Sequence, residues 1–304
     1  MNDKIIEHSA RLFGASPDHW RCIGGFHNNV FLSRQNDIVL KFFKKDSEDV
    51  DALRRQAHVM EIVREEGVRT PKPIRSMNGM TVETVEHLYV MATEFVLGEP
   101  LEGFEQKPLQ IQQFGRVLGR LHEIAKRHTK VFQSYPLAWD HDISHRQFTI
   151  GIDQEIQQKW QSYMEKLQNL PKDATVYGLV HHDLHHENLL ICDGGMTVLD
   201  FGDLRLSWFA YDVAIPIYHA TEHGQFRGGI DASTYRQFFK PHFIKGYRME
   251  THMSEDVEQW IDFFLSYRRI YSYLYFYDVL TPEQLKPSTK QALAKMKENI
   301  LNQE

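Results

Sequence analysis

Residues 178–203 read GLVHHDLHHENLLICDGGMTVLDFGD. Four histidines fall within six residues (His181, His182, His185, His186), and Asp183, Glu187, Asn188 and Asp200 stand close by. Two chemistries compete for this stretch. Imidazoles could hold a transition metal, and His181 and His185 have the four-residue spacing that places two ligands on one helix face. The segment, however, lies between two strand-like runs and reads as a loop, where that spacing loses its meaning. It contains no H-E-x-x-H, and no cysteine pair stands near to complete a zinc site. The second chemistry uses the acids. Moving a phosphoryl group from ATP to a hydroxyl needs one carboxylate to orient the nucleophile and take its proton, and hard oxygen ligands for magnesium. Asp183 can be the base, while Asn188, five residues on, and Asp200, twelve further, offer the amide and carboxylate oxygens. An isolated D-x-x-x-x-N occurs by chance in many chains; with H-x-D before it and D-F-G after it, the pattern is specific.

Such a loop needs elements to hold it. Residues 4–14 have the apolar spacing of a short amphipathic helix. RCIGG, NVFLSR and IVLKFF follow as short β-branched or aromatic runs separated by turn residues, the pattern of antiparallel hairpins. Asp49–Glu66 carries Val50, Leu53, Ala57 and Met60 on one helical face and ends at Gly67. TVETVEH and LYVMATEFV predict two more strands. Gly98-Glu99-Pro100 breaks the pattern, and the chain then turns helical, with strong helices over QIQQFGRVLGRLHEIAKRH and residues 153–169. Around the loop, TVYGLV, NLLIC and MTVLDF predict short strands, the last two joined by Asp193-Gly194-Gly195. From Ser207 onward the sequence is aromatic-rich and predicts helix to the end.

The bulk properties set limits. A chain of 304 residues suits two lobes. Hydrophobic residues at 42% and charged residues at 25% allow a sizeable core and argue against global disorder. A net charge of −6 speaks against a nucleic-acid partner. Cys22 and Cys192 form no C-x-x-C, which fits a reducing cytoplasm and excludes a disulfide framework. No run approaches the length of a membrane span, and no membrane partner is expected.

The stretch HHDLHHENLL followed by VLDFGD resembles the catalytic-loop motif of the aminoglycoside phosphotransferase and choline kinase superfamily, relatives of the protein kinases. The resemblance extends through most of the first 215 residues. IGGFHNNVFLS at 23–33, with Gly25, is similar to the family's nucleotide-covering hairpin. Lys41 in IVLKF resembles the strand lysine that meets the α- and β-phosphates. VMATEFVLGEPL at 90–101 resembles the hinge, where backbone groups near Glu94 and Val96 meet adenine. FGRVLGRLHEI resembles the first helix of the larger lobe, and Tyr211-Asp212 the aspartate that braces the loop.

This resemblance implies an α+β, bilobal, protein-kinase-like fold. Residues 1–97 would form a nucleotide-binding lobe of small antiparallel sheet with one main helix, and residues 98–304 a larger, mostly helical lobe for catalysis and substrate. It implies an enzyme that moves the γ-phosphate of ATP, with magnesium, to a hydroxyl of a small molecule, either an aminoglycoside-like antibiotic or an amino-alcohol or sugar metabolite. Asp183 becomes the base, Asn188 and Asp200 the magnesium ligands, and His181 a support of the loop. One position departs from the family pattern: Gln56 stands where a glutamate normally pairs with the strand lysine. That substitution is the argument for the rival reading, a module that binds nucleotide without catalysis. A protein kinase fits less well, because Tyr211 follows Asp200 by only eleven residues and no A-P-E-like element comes after it. The aromatic residues of SYRRIYSYLYFYD read as helix packing.

Overall fold

The computed structural model describes residues 2–25, 28–102, 107–141, 152–227, 232–280 and 286–302. These fall into two compact units, the first comprising Met1–Glu102 with Glu187–Leu204 and the second Gly103–His186 with Arg205–Glu304. Residues 187–204 thus join the amino-terminal unit, although they lie deep in the second half of the chain. Among the described residues no helix is long and apolar enough to cross a membrane.

The first unit is built on an antiparallel sheet. β1 (Arg21–Gly24), β2 (Val30–Ser33), β3 (Ile38–Lys44), β5 (Val82–Val85), β6 (Leu88–Glu94) and the two-residue β4 (Pro73–Ile74) pair in the order β1-β2-β3-β6-β4, with β5 also on β6. Period-two alternation decides what each face does. Leu40 and Phe42 of β3 and Val90 and Ala92 of β6 point to one side, where Ile5 and Ile6 of α1 (Asp3–Leu12) close a core over them. Lys41 and Phe43 therefore point to the other side. There Phe43 and Met91 pack on Leu53 and Ala57 of α2 (Val50–Glu65), a helix started by Asp49 accepting the Asp51 N–H. The same rule that buries the strand's apolar residues thus delivers Lys41 to the face covered by α2.

A second, three-stranded sheet belongs to this unit: β7 (Glu99–Pro100), β9 (Leu189–Cys192) and β10 (Gly195–Val198). The Gly98-Glu99-Pro100 break is where β7 pairs with β9, and a Cβ on Gly98 would come within 2.7 Å of the Cys192 sulfur. Arg69 fastens the β9–β10 hairpin from the segment after α2. Its carbonyl accepts the Val198 N–H at 2.8 Å and its guanidinium donates to the Asp193 carbonyl at 2.6 Å.

The second unit is mostly helical: α3 (Pro108–Arg127), α4 (Thr129–Phe132), α5 (Gln154–Asn169), α6 (Phe209–Arg227), α7 (Ala232–Tyr247), α8 (Glu255–Val279) and α9 (Pro287–Leu301). A two-stranded ribbon interrupts them, β8 (Tyr177–Val180) paired antiparallel with β11 (Arg205–Trp208). Helix was expected from Ser207 onward, but Ser207 and Trp208 end this strand and α6 begins at Phe209. Four residues are too few to show a period, and the partner that makes them a strand is remote in sequence.

α3 and α7 meet at backbone distance. A Cβ on Gly115 would lie 2.0 Å from the Phe243 carbonyl oxygen, one on Gly119 2.5 Å from that of Tyr247, and one on Gly246 1.9 Å from that of Gln112. Neither side has a flexible atom to give way. Gly246→Ala and Gly115→Ala should each lower stability by at least about 3 kcal/mol in urea unfolding, at the upper end of overpacking costs. Wild-type midpoints would show that the helices can part without cost.

Candidate active site

The first unit encloses a cavity of about 300 Å³ on the α2 face of its sheet. Ile23, Val30, Val39, Met60, Met91 and Leu190 make its walls largely apolar, and Lys41, Gln56 and Asp200 supply its polar groups. Glu94 and Val96 lie on its rim. The Glu94 N–H is taken by the Lys72 carbonyl at 2.9 Å and the Phe95 N–H by the Asp37 carbonyl at 2.8 Å. Among the described residues no backbone carbonyl accepts the Val96 N–H. Largely apolar walls with a few polar groups suit a small aromatic ligand.

Gly25, between the cavity-lining Ile23 and Val30 in the chain, has φ +84°, and a Cβ there would strike Asn29 Oδ1 at 2.2 Å. Asn29 explains the crowding. Its side chain donates to the Phe42 carbonyl at 2.6 Å and its own carbonyl accepts the Phe42 N–H at 3.0 Å, so the loop is pinned beside Lys41. Phe26 and His27, part of the expected covering hairpin, lie outside the described residues.

Lys41 Nζ pairs with Asp200 Oδ1 at 2.7 Å. Asp200 adopts a left-handed conformation (φ 48°), which Asp tolerates better than most residues, and its side chain accepts the Gly202 N–H at 3.2 Å. A Cβ on Gly202 would press to 3.1 Å of that same oxygen, so glycine keeps the carboxylate clear. Gln56, only 6% exposed, lines the cavity with Lys41 and Asp200 but brings no charge. The lysine's carboxylate partner is Asp200 rather than a residue of α2.

Asn188 is brought to Asp200 by strand register. Leu189 pairs with Val198 at the end of the β9–β10 hairpin, and the Leu199 N–H donates to the Asn188 carbonyl at 2.9 Å. The two residues expected to bind magnesium therefore leave the same end of one hairpin. An amide oxygen and a carboxylate oxygen form the hard donor set that magnesium favours, with room for water and phosphate oxygens to complete six positions. This donor chemistry fits the ion.

Asp183 belongs to the second unit, and its loop is held by a buried carboxylate. Asp212 of α6, fully buried, accepts the backbone N–H of His181 at 3.0 Å and of His182 at 2.7 Å. His122 of α3 adds a third bond through Nε2 at 3.0 Å, and its Nδ1 meets the Tyr247 hydroxyl at 2.8 Å. Burial works against the charge on Asp212, yet the hydrogen bond from His122 outweighs it and holds its carboxyl below the usual range. Burial lowers the pKa of His122, leaving the imidazole neutral.

The four histidines of the loop pack against their surroundings, and His185 also hydrogen-bonds Asp183. His181 and His182 are buried, with the His182 ring 4.9 Å from that of Tyr211. His182 takes φ 70°, turning the chain so that both N–H groups face Asp212. The His185 ring stacks on His219 of α6 at 4.5 Å, and His186 packs edge-on to His185. Among the described residues no group of three or more His, Cys, Asp or Glu is arranged to hold a metal. Asp183 itself meets Arg268 of α8 at 2.8 Å. Burial pushes its pKa up, but a hydrogen bond from His185 and the Arg268 charge outweigh that and hold the carboxyl well below its ordinary value.

Sequence reasoning missed Arg268, His219, His122 and Asn29. Arg268 lies in SYRRIYSYLYFYD, where the aromatic residues drew attention to packing and the paired arginines carried no spacing signal. His122 sits within the helix stretch already matched to the family, three residues beyond the second glycine of its G-x-x-x-G.

The first unit thus carries a largely apolar cavity with a lysine–aspartate pair and an Asn–Asp hairpin end, and the second a braced Asp loop. The sequence model of the phosphotransferase enzyme family (APH) matches residues 21–245, and the chain belongs to that family, within the aminoglycoside phosphotransferase and choline kinase superfamily. It is a small-molecule kinase with the protein-kinase-like α+β fold. An amicoumacin kinase from Bacillus subtilis (strain 168) is 24% identical over 310 residues, covering 99% of this chain and 92% of its own length. The solved structure of an amicoumacin kinase in complex with AMP-PNP, Ca2+ and Ami superposes with a TM-score of 0.86 at 21% identity, over 98% of this chain and 92% of that one. A microcompartment-associated aminopropanol kinase superposes with a TM-score of 0.78 at 19% identity, over 98% and 95%.

The brace has an acid signature. His122 is neutral when folded and gains a proton in the unfolded chain below its ordinary 6.5, while Asp212 is charged when folded and is protonated in the unfolded chain below 3.8. Both shifts remove stability as pH falls, His122 first. Urea stability should be full above about pH 7 and drop by about pH 5, and His122→Gln should flatten that part of the profile. An unchanged slope in His122→Gln would contradict a neutral buried imidazole. The cavity yields a second expectation. Gln56→Glu places a carboxylate on the wall shared with Lys41, draws the lysine from Asp200, and should lower the magnesium concentration for half-maximal ATP binding by about threefold or more. An unchanged magnesium dependence in titration calorimetry would show that Gln56 does not face the lysine.

Proposed function

We propose that this kinase transfers the γ-phosphoryl group of ATP to a hydroxyl of a small molecule, either an aminoglycoside-like antibiotic or an amino-alcohol or sugar metabolite. The carrying observation is the Asp183 loop, held by two backbone hydrogen bonds to the buried Asp212. A loop fixed in this way presents Asp183 from a set backbone position, which a general base requires and a nucleotide-binding module does not.

In this reading the Val96 N–H and the Glu94 carbonyl meet the adenine edge, the loop at Gly25 covers the phosphates, and Lys41 turns from Asp200 to the α- and β-phosphates. Asn188 and Asp200 would hold magnesium, which when bound neutralises charge on the phosphate oxygens. Asp183 accepts the proton as the acceptor's O–H bond breaks. The acceptor oxygen bonds to the γ-phosphorus, and the bond from that phosphorus to the oxygen of ADP breaks. Positioning and charge supply most of the catalysis. The names of the relatives, an amicoumacin kinase and an aminopropanol kinase, support a small acceptor. The competing reading, nucleotide binding without transfer, is favoured by Gln56 and by the Lys41–Asp200 pair.

ADP release with magnesium and ATP, across aminoglycosides, amicoumacin, 1-amino-2-propanol, choline, homoserine and sugars, separates the two. Transfer to one class is expected, and Asp183→Asn should lower it by about 10²–10⁴-fold with ATP binding kept. Asp200→Ala should weaken magnesium-dependent ATP binding itself. Full turnover in Asp183→Asn would remove Asp183 from the role of base, and ATP binding with no release for any acceptor would favour the binding module.

A further inference from the structure

Asp183 is gripped at both oxygens. Oδ1 accepts a bond from Arg268 Nη2 at 2.8 Å, and Oδ2 lies 3.5 Å from His185 Nε2. Arg268 comes from the middle of α8 and is 8% exposed. Its own guanidinium is located by three further contacts. Nη1 donates to the Tyr211 hydroxyl at 3.1 Å, Nη2 meets His219 Nε2 at 3.3 Å, and the group lies 5.5 Å from the centre of the Tyr271 ring. Burial and the Arg268 charge push the pKa of His219 well down, so the neutral ring's Nε2 can accept a hydrogen bond from the arginine N–H. His219 in turn stacks on His185, which closes the ring of contacts around the carboxylate.

A buried guanidinium is a poor device for joining a helix to a loop, since apolar side chains of similar volume commonly do as well or better. It also makes Asp183 a weaker base by stabilising its charged form. Both costs are understandable if orientation matters more than basicity. In phosphoryl transfer the transition state is loose and little proton removal is needed before the acceptor oxygen engages phosphorus. A carboxylate with two free torsions would spend most of its time misdirected; one N–H of a guanidinium held on its other nitrogen by Tyr211 meets one oxygen, an imidazole lies at the other, and together they remove that freedom.

We propose that Arg268 is a positioning residue of the transfer reaction, holding the Asp183 carboxylate in the orientation from which it receives the acceptor's proton. The proposal rests on Asp183 being the base. Arg268 gains and loses no proton: the proton passes from the acceptor hydroxyl to Asp183, and the arginine remains charged beside it.

The test measures ADP release with magnesium and ATP, using water and 1-amino-2-propanol as acceptors, in Arg268→Lys, Arg268→Gln and Arg268→Ala, alone and with Asp183→Asn. Circular dichroism and thermal unfolding establish which variants fold. A role in positioning requires a kcat loss of about tenfold for Arg268→Lys and about a hundredfold for Arg268→Gln, with KM for ATP within about twofold of wild type. Guanidinium ion should restore part of the rate of Arg268→Ala, and Arg268→Lys should cost nothing further once Asp183→Asn is present. A folded Arg268→Gln with wild-type kcat would overturn the proposal, as would an Arg268→Lys loss of equal size on the Asp183→Asn background. Full activity in Asp183→Asn alone would instead overturn the assignment of the base, and this inference with it.

Discussion

The carboxylate of Asp212 is the point on which the functional loop depends. A fully buried acid in a helical unit is costly unless both carboxylate oxygens are hydrogen-bonded. Here two backbone N–H groups and one imidazole supply those bonds, and all three come from outside α6. The bonds run in both directions of cause. The loop supplies the donors that make the burial of Asp212 tolerable, and Asp212 gives His182 a reason to hold a left-handed conformation that a non-glycine residue otherwise avoids. The result is a loop whose backbone is fixed by the core of its own unit, so that the side chains it carries inherit the rigidity of the helices.

The nucleotide half obeys a different constraint, the alternation of a strand. Lys41 has Leu40 and Phe42 on either side, and burial of those two settles where the lysine goes. Register does the same for Asn188 and Asp200 at the end of their hairpin. Neither arrangement needs a dedicated scaffold. Both follow from burying one face of a sheet and closing one turn, with glycine at 25 because the Asn29 amide oxygen leaves no space for a Cβ, and at 202 where a Cβ would crowd the Asp200 carboxylate.

Much of this was legible in the sequence because it is local. The spacing from Asp183 to Asn188 to Asp200 is fixed by one loop and one hairpin, and the apolar periods of α2 and α3 are long enough to read directly. β4, β7 and β11 were not legible, since strands of two to four residues exist only through their partners. The grip of Arg268 on Asp183 escaped for the same reason. It joins residues 85 apart, and nothing in an aromatic-rich helix marks one arginine as the one that turns inward. The absence of a glutamate at position 56 could be seen, but the pairing of Lys41 with Asp200 is a fact of three dimensions.

The glycine seam between α3 and α7 decides where this molecule can diversify. Three positions on two helices cannot accept even a methyl group, because carbonyl oxygens occupy the space. Drift under selection for new acceptors is therefore barred from that seam and channelled to helices held by side chains, which can exchange volume for volume. Libraries built to alter substrate range would keep most of their members folded by leaving Gly115, Gly119 and Gly246 untouched and spending their diversity on the exposed and half-buried positions of α8 and α9.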